Sequence, residues 1–315
     1  MDVILHVGAH RTGTTTLQRF LNANSAKLAE AQIGFWGPGR TRNGLFTGLV
    51  KAPNRLTDED LKRGKRATGL IQIELERAAL NNLHTVIVSE ENMIGSMENN
   101  VNTRRLYAQT RARLERFRDG FSKHCARILL TTRSYERYWS SVLGYYIKTG
   151  HGLPPQNVVD ALAEQPVRWS RIVRDISAVF PDAQIIVSPF EAMVGLPEHQ
   201  LTSLIGSSVP GPFQAGREWH NASLDRAQLA RLLADQGAEG RALDQLAGGG
   251  GAWLPFSDAQ TAIMRAAYRQ DLAWFRAGAD GLAHYIDSPE ALDLGNGAIG
   301  HGRGRQHEQE HRRLG

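Results

Sequence analysis

The sequence predicts an α/β protein, a parallel central sheet flanked by helices on both faces. Four short runs of β-branched and aliphatic residues recur along the chain. They are nearly continuous in apolar character, as expected of strands buried on both faces. Between them lie segments with apolar residues at helical spacing, and such alternation of β and α elements favours a parallel sheet.

The first run, Val3 to Val7, stops at Gly8. Leu17, Phe20, Leu21 and Leu28 mark a helix after it, and Ile71, Leu75, Ala79 and Leu83 mark another before the run Thr85 to Val88. Leu106, Leu114 and Phe117 mark an Arg-rich helix ahead of Ala126 to Thr131, and Trp169, Ile172, Ile176 and Val179 one ahead of Gln184 to Val187, closed by Pro181-Asp182. Gly37 to Gly69 is polar and lacks a sustained apolar period, so a long excursion beside the sheet is expected there, either a lid or binding loop or a merely mobile one. Gly248 to Gly251 reads as a flexible break before Pro255-Phe256-Ser257-Asp258, the start and cap of a helix reaching about Ala277. Gly295 to Gly315 holds six Gly, three His and four Arg with hardly any apolar residues, and is expected to be a disordered, solvated tail.

A chain of 315 residues with 41% hydrophobic content can build one large domain. The net charge of +5, from 37 basic and 32 acidic residues, is too small and dispersed to wrap nucleic acid, but it suits a small polyanionic ligand. Cys125 is the single cysteine, which excludes an intrachain disulfide and any paired-cysteine zinc site; no metal is expected, and a reducing compartment is the default. The N-terminus lacks a basic leader and no run approaches the roughly 18 to 20 apolar residues of a membrane span, so a soluble, cytoplasmic protein is expected.

The chemistry concentrates after the first strand. Gly8-Ala9-His10-Arg11-Thr12-Gly13-Thr14-Thr15-Thr16 runs straight into an amphipathic segment. Glycines permit a tight turn, successive N–H groups point into its concavity, and the helix N-terminus adds partial positive charge, which together make an anion cradle. Arg11 and the hydroxyls of Thr12, Thr14, Thr15 and Thr16 add donors. Gly8 and Gly13 have the spacing of a Walker A loop, but Thr14 stands where that loop has its lysine, which argues against an ordinary kinase or NTPase.

The stretch His6 to Gln18 resembles the 5′-phosphosulfate loop of sulfotransferases that use 3′-phosphoadenosine 5′-phosphosulfate (PAPS), in particular bacterial members with an H-x-G-x-H-[KR]-T-G-T-T pattern; Arg11 stands where many of them have Lys. The resemblance implies a second anion site for the 3′-phosphate. An Arg at a strand end and a Ser eight positions on form it in the family, and Arg133 and Ser141 match that spacing, with Arg137 one helical turn before Ser141. It also implies a base: the family's S-x-E-[ND] pattern matches Ser89 to Asn92 with Glu91 as its glutamate, Glu90 being the substitute and His10 a rival inside the loop. Weaker likenesses lie at Trp169 to Phe180 with Ile185 to Glu191, and at Arg217 to Leu224, so the resemblance spans roughly residues 2 to 275. It implies a P-loop-like sulfotransferase fold in a single domain over 1–294, with 37–69 on the substrate side and 252–294 as a C-terminal helical part.

The activity so implied is transfer of a sulfuryl group from PAPS, a co-substrate, to a hydroxyl or amine of a carbohydrate or small metabolite, with neither nucleic acid nor a membrane as partner. Catalytic candidates are Glu91, Arg11 and His10; donor-binding candidates are Gly8, Arg11, Thr12, Gly13, Thr14, Thr15, Thr16, Arg133 and Ser141. A divergent P-loop nucleoside or sugar kinase and a catalytically silent nucleotide-binding protein are the competing readings. Arg40, Arg42, Lys51 and Arg55 either meet an acidic acceptor or only keep their loop soluble.

Overall fold

The computed structural model describes residues 1–207, 209, 211–215, 218, 223–244, 246 and 251–288. The expectations for the tail 295–315, for the break at 248–250 and for most of 217–222 lie outside them.

Six parallel strands form one sheet among the described residues: β1 (Asp2–His6), β2 (Ile33–Trp36), β3 (Thr85–Ser89), β4 (Cys125–Thr132), β5 (Gln184–Pro189) and β6 (His284–Tyr285), in the order β2-β3-β1-β4-β5-β6. The four expected strands are present, and two edge strands are added. β2 has four residues and β6 two, too short for a periodicity to register.

Side chains alternate faces along each strand. Val3, Leu5, Val86, Val88, Ile128, Leu130, Ile185 and Val187 enter the larger core, under the helices Asp58–Leu80, Thr110–Phe121, Tyr135–Tyr146, Trp169–Val179 and Asp258–Arg276. Ile4, Ile87, Leu129 and Ile186 enter a smaller one with Leu17, Phe20 and Leu21 of the Thr14–Ala23 helix and Leu201 and Leu204 of the Pro197–Ile205 helix. Both sheet faces are thus buried, which explains the unbroken apolar runs. The first expected helix is divided: Leu28 belongs to a separate helix, Ser25–Glu30.

The expected excursion over residues 37–69 is corrected. Short turns occupy Pro38–Arg40, Thr41–Leu45 and Pro53–Arg55, and a 23-residue helix begins at Asp58, capped by a reciprocal pair between Thr57 and Asp60. Its buried stripe is Gly64, Ala67, Ile71, Leu75 and Ala78. The first member packs on Gly48, where an added Cβ would lie 2.6 Å from the Gly64 nitrogen, and the second, Ala67, is also small. A reading that counts large apolar residues misses such a stripe. Leu45, Phe46, Leu49 and Ala52 are buried, and Arg113 and Arg116 donate to the carbonyls of Val50, Lys51 and Gly48, so this segment is tied to the core.

The topology places the site. From β1 the chain runs to β2, returns to β3 beside β1, and then crosses to β4 on the other side of β1. Connections diverge at the carboxyl end of β1, where open α/β sheets leave a crevice for ligands. No helix among the described residues is long and apolar enough to cross a membrane.

Candidate active site

Beyond β1 the backbone stays bound to β4, with the Ala9 N–H on Thr131 O (3.0 Å) and the Thr131 N–H on Gly8 O (2.6 Å). The loop then turns through positive φ at Gly8 (98°), Arg11 (62°) and Gly13 (81°) before the Thr14–Ala23 helix, whose first ladder bond joins the Leu17 N–H to Gly13 O (3.1 Å). Amides of a helix's first turn point along its axis, here toward a cavity of about 500 Å³ lined by Gly13, Thr14, Thr15 and Thr16.

Gly8 and Thr12 lie outside that lining. A Cβ on Gly8 would sit 2.9 Å from the Glu91 Cβ, so the missing side chain is what allows Glu91 to approach the loop. The Thr12 hydroxyl donates to Ala9 O (2.7 Å) and closes the loop on itself.

Arg11, Arg133 and Ser141 meet on one wall. Arg11 Nε donates to Ser141 Oγ (2.8 Å), Arg133 donates to Arg11 O (2.8 Å), and Ser141 Oγ lies 2.6 Å from Ser223 Oγ. Arg11 also lies over the Tyr145 ring, so its side chain is turned toward the Arg133/Ser141 wall. Burial lowers the Arg133 guanidinium to about 10, still cationic at neutral pH, and its buried Nε has no hydrogen-bond partner among the described residues. Arg133, Ser141 and Ser223 also line a second cavity, of about 240 Å³, with Arg137 and Trp253. The two hollows adjoin across this wall.

Glu90 and Glu91 lie just past the end of β3. β3 ends at Ser89 and the chain enters a tight turn, Glu91–Met93, so strand alternation stops there. Glu90 is fully buried and accepts Arg42 twice (both 2.8 Å), the Thr41 hydroxyl (2.8 Å) and the Asn92 amide (2.7 Å). Glu91 lines the cavity and accepts Gln18 Nε2 (3.0 Å) and Arg42 (3.0 Å). One guanidinium therefore spans both carboxylates. Burial alone would raise the Glu91 carboxyl, but the neighbouring His10 ring, the Arg42 guanidinium and the Gln18 amide outweigh it and hold it below the usual carboxylate range. Burial lowers His10, against the opposing pull of Glu91 and Glu90.

Sequence reasoning gave no role to Gln18, Tyr107 or Asn92 and left Arg42 among four alternatives. Arg42 is the one that lines the cavity; Arg40 pairs with Glu74 over the Trp36 ring, and Lys51 with Asp60. Gln18 lies one helical turn beyond Thr14 and faces the same way, a spacing the sequence does display. Tyr107 reaches His10 from 97 residues away, which no local pattern discloses. Tyr138 and Trp139 are wholly buried and line neither cavity.

Among solved structures the chain is similar to a sulfotransferase from Alicyclobacillus acidocaldarius, at 16% identity over 77% of this chain and 98% of that chain, with a TM-score of 0.33. No family model and no curated protein matches.

Proposed function

We propose that the protein transfers a sulfuryl group from PAPS to a hydroxyl or amine acceptor, a carbohydrate or small metabolite. One observation carries the reading: a lysine-free phosphate-type loop, an Arg133/Ser141 pair and a cavity-facing Glu91 converge on one hollow at the carboxyl edge of the sheet. A donor with anions at both ends of an adenosine needs two cationic or amide-rich sites in fixed relation. The first-turn amides of Thr14, Thr15 and Thr16 suit the 5′-phosphosulfate. Arg133, whose Nε has no partner among the described residues, and Ser141 suit the 3′-phosphate, and Arg11 stands between the two.

When bound, the donor supplies an activated sulfuryl group on a phosphate leaving group. The acceptor oxygen or nitrogen bonds to sulfur, the bond from sulfur to the 5′-phosphate oxygen breaks, and adenosine 3′,5′-bisphosphate leaves. Glu91 takes the acceptor's proton. Arg11 and the helix amides stabilise charge developing on the leaving oxygen, and positioning with electrostatics supplies most of the acceleration. The absent Walker lysine favours this over an ATP-dependent kinase.

Isothermal titration with adenosine 3′,5′-bisphosphate tests the reading. Binding is expected without added magnesium, and PAPS is expected to yield sulfated product from an acceptor panel read by mass shift. Folded protein with no affinity for the bisphosphate overturns it.

A further inference from the structure

The geometry points to a neutral sugar as the acceptor, an uncharged ring with several hydroxyls held at the Glu91 end of the cavity, where neither a carboxylate nor an ammonium has a place. This deepens the sulfuryl-transfer reading and rests on it.

Among the described residues three arginines line the cavity, Arg11, Arg42 and Arg133, and no lysine does. Arg11 and Arg133 stand on the wall given to the donor, joined by the bond from Arg133 to Arg11 O (2.8 Å), with Arg11 Nε on Ser141 Oγ (2.8 Å). Phe190 belongs to that side too, since its ring centroid lies 4.5 Å from the Arg133 guanidinium carbon and its edge 3.5 Å from where a Gly13 Cβ would be. Arg42 alone is left beside Glu91.

Arg42 is not available as a counter-ion. Glu90 takes its Nε and Nη2 as a fork (both 2.8 Å), and Nη2 also reaches Glu91 Oε1 (3.0 Å). One cation is thus set against two carboxylates, and this end of the cavity keeps an excess of negative charge. His10 also lines it, but burial lowers that imidazole, so it adds no cation at neutral pH. Arg40 is engaged by Glu74, Lys51 by Asp60, and Arg55 is exposed and outside the lining. A carboxylate on the acceptor would therefore face Glu91 and the donor's own anions with no uncommitted cation to answer it, and like charges in a confined site repel. An ammonium would be drawn to Glu91, but its nitrogen has no lone pair to attack sulfur until it loses a proton, and Arg42 repels it.

The groups that remain are polar and suit hydroxyls. Arg42 Nη1 is the guanidinium nitrogen that neither glutamate takes. The two Glu91 oxygens each hold one side-chain donor, Arg42 on Oε1 and Gln18 on Oε2, and a carboxylate oxygen can accept a second. Asn92 lines the cavity beside them. A ring with several hydroxyls satisfies this set, because each hydroxyl both donates and accepts. An acceptor with one hydroxyl satisfies a single member and leaves the others unpaired, a mismatch that hydrogen-bonding sites reject strongly. Met97 and Tyr145 also line the cavity and give apolar contact to the C–H face of such a ring.

Initial rates at saturating PAPS and neutral pH test this on matched nitrophenyl glycosides, namely glucosides and galactosides, their uronides and their amino-deoxy counterparts, with nitrobenzyl alcohol as the acceptor of one hydroxyl. A neutral glycoside is expected to lead, with kcat/KM at least about tenfold above its uronide. A uronide or amino glycoside that equals its neutral partner overturns the proposal, as does nitrobenzyl alcohol leading the set, or no turnover of any glycoside. Met97→Lys keeps an aliphatic stem and brings a cation to the lining. It is expected to narrow the ratio of neutral glycoside to uronide about tenfold; an unchanged ratio, in a variant shown to be folded by bisphosphate titration, also overturns the proposal. The same titration on the unaltered chain separates two failures. Protein that binds adenosine 3′,5′-bisphosphate but shows the wrong preference has lost this inference alone, whereas protein that does not bind it has lost the donor reading and this inference together.

Discussion

Glu90 and Glu91 are neighbours in sequence, share one arginine and differ in what they can reach. Glu90 has no exposure and spends its oxygens on Arg42, Thr41 and Asn92, whereas Glu91 faces the cavity. Replacing Glu91 by Gln keeps the shape and removes the proposed base, so turnover is expected to fall about 10²- to 10⁴-fold while adenosine 3′,5′-bisphosphate binds as before by titration. Arg42 keeps Glu91 ionised but weakly basic. With Arg42→Gln, burial acts on Glu91 with less to oppose it, so its carboxyl rises and the acidic limb of the kcat/KM profile moves to higher pH. The same change strips the buried Glu90 of its cation, and urea unfolding is expected to show a loss of about 3 kcal/mol.

Two elements set the spacing of the site: the loop between β1 and the Thr14–Ala23 helix, and the turn after β3. They touch at Gly8 and Glu91, where the approach is close enough that a methyl group has no room. Gly8→Ala must also adopt φ near +98°, so a loss of about 1–3 kcal/mol is expected in thermal or urea unfolding. The fault should spread to turnover, since Glu91 has to move. The helix Tyr135–Tyr146 carries Ser141 to the wall that Arg11 and Arg133 share. Ser141→Ala removes one neutral hydrogen-bonding group there, and titration is expected to show the bisphosphate weakened by about 1 kcal/mol, with adenosine 5′-phosphate changed less.

Across the whole molecule, the sheet buries ionisable groups beside its apolar core, and stability follows their titration. Burial lowers His6, whose Nδ1 lies 2.7 Å from the Ser89 hydroxyl, to about 4. The unfolded chain binds the proton more readily, so stability rises with pH across this window and falls as pH drops from about 6.5 to about 4. The full difference is about 3 kcal/mol for this one group. Urea unfolding at pH 7 and near pH 4.5 is expected to show that slope, and His6→Gln to flatten it.

The four central strands, the glycine loop, the Arg133/Ser141 spacing and the glutamate pair were legible because each is a local pattern: an unbroken apolar run, a fixed interval, a strand end. The helix over Asp58–Leu80 was legible only in its second half, since the first half of its buried stripe is Gly64, held by close backbone contact, and the small Ala67 rather than large apolar side chains. Tertiary structure alone decided that Arg42 spans Glu90 and Glu91, that Arg11 turns to Ser141, and that Tyr107 holds His10 from behind. The sequence by itself determined which chemical groups stand at the carboxyl edge of the sheet, because strand ends and loop spacings are written locally. Which partner each of those groups faces was set by contacts between residues 48 to 130 positions apart, and such contacts exist only once the chain has closed.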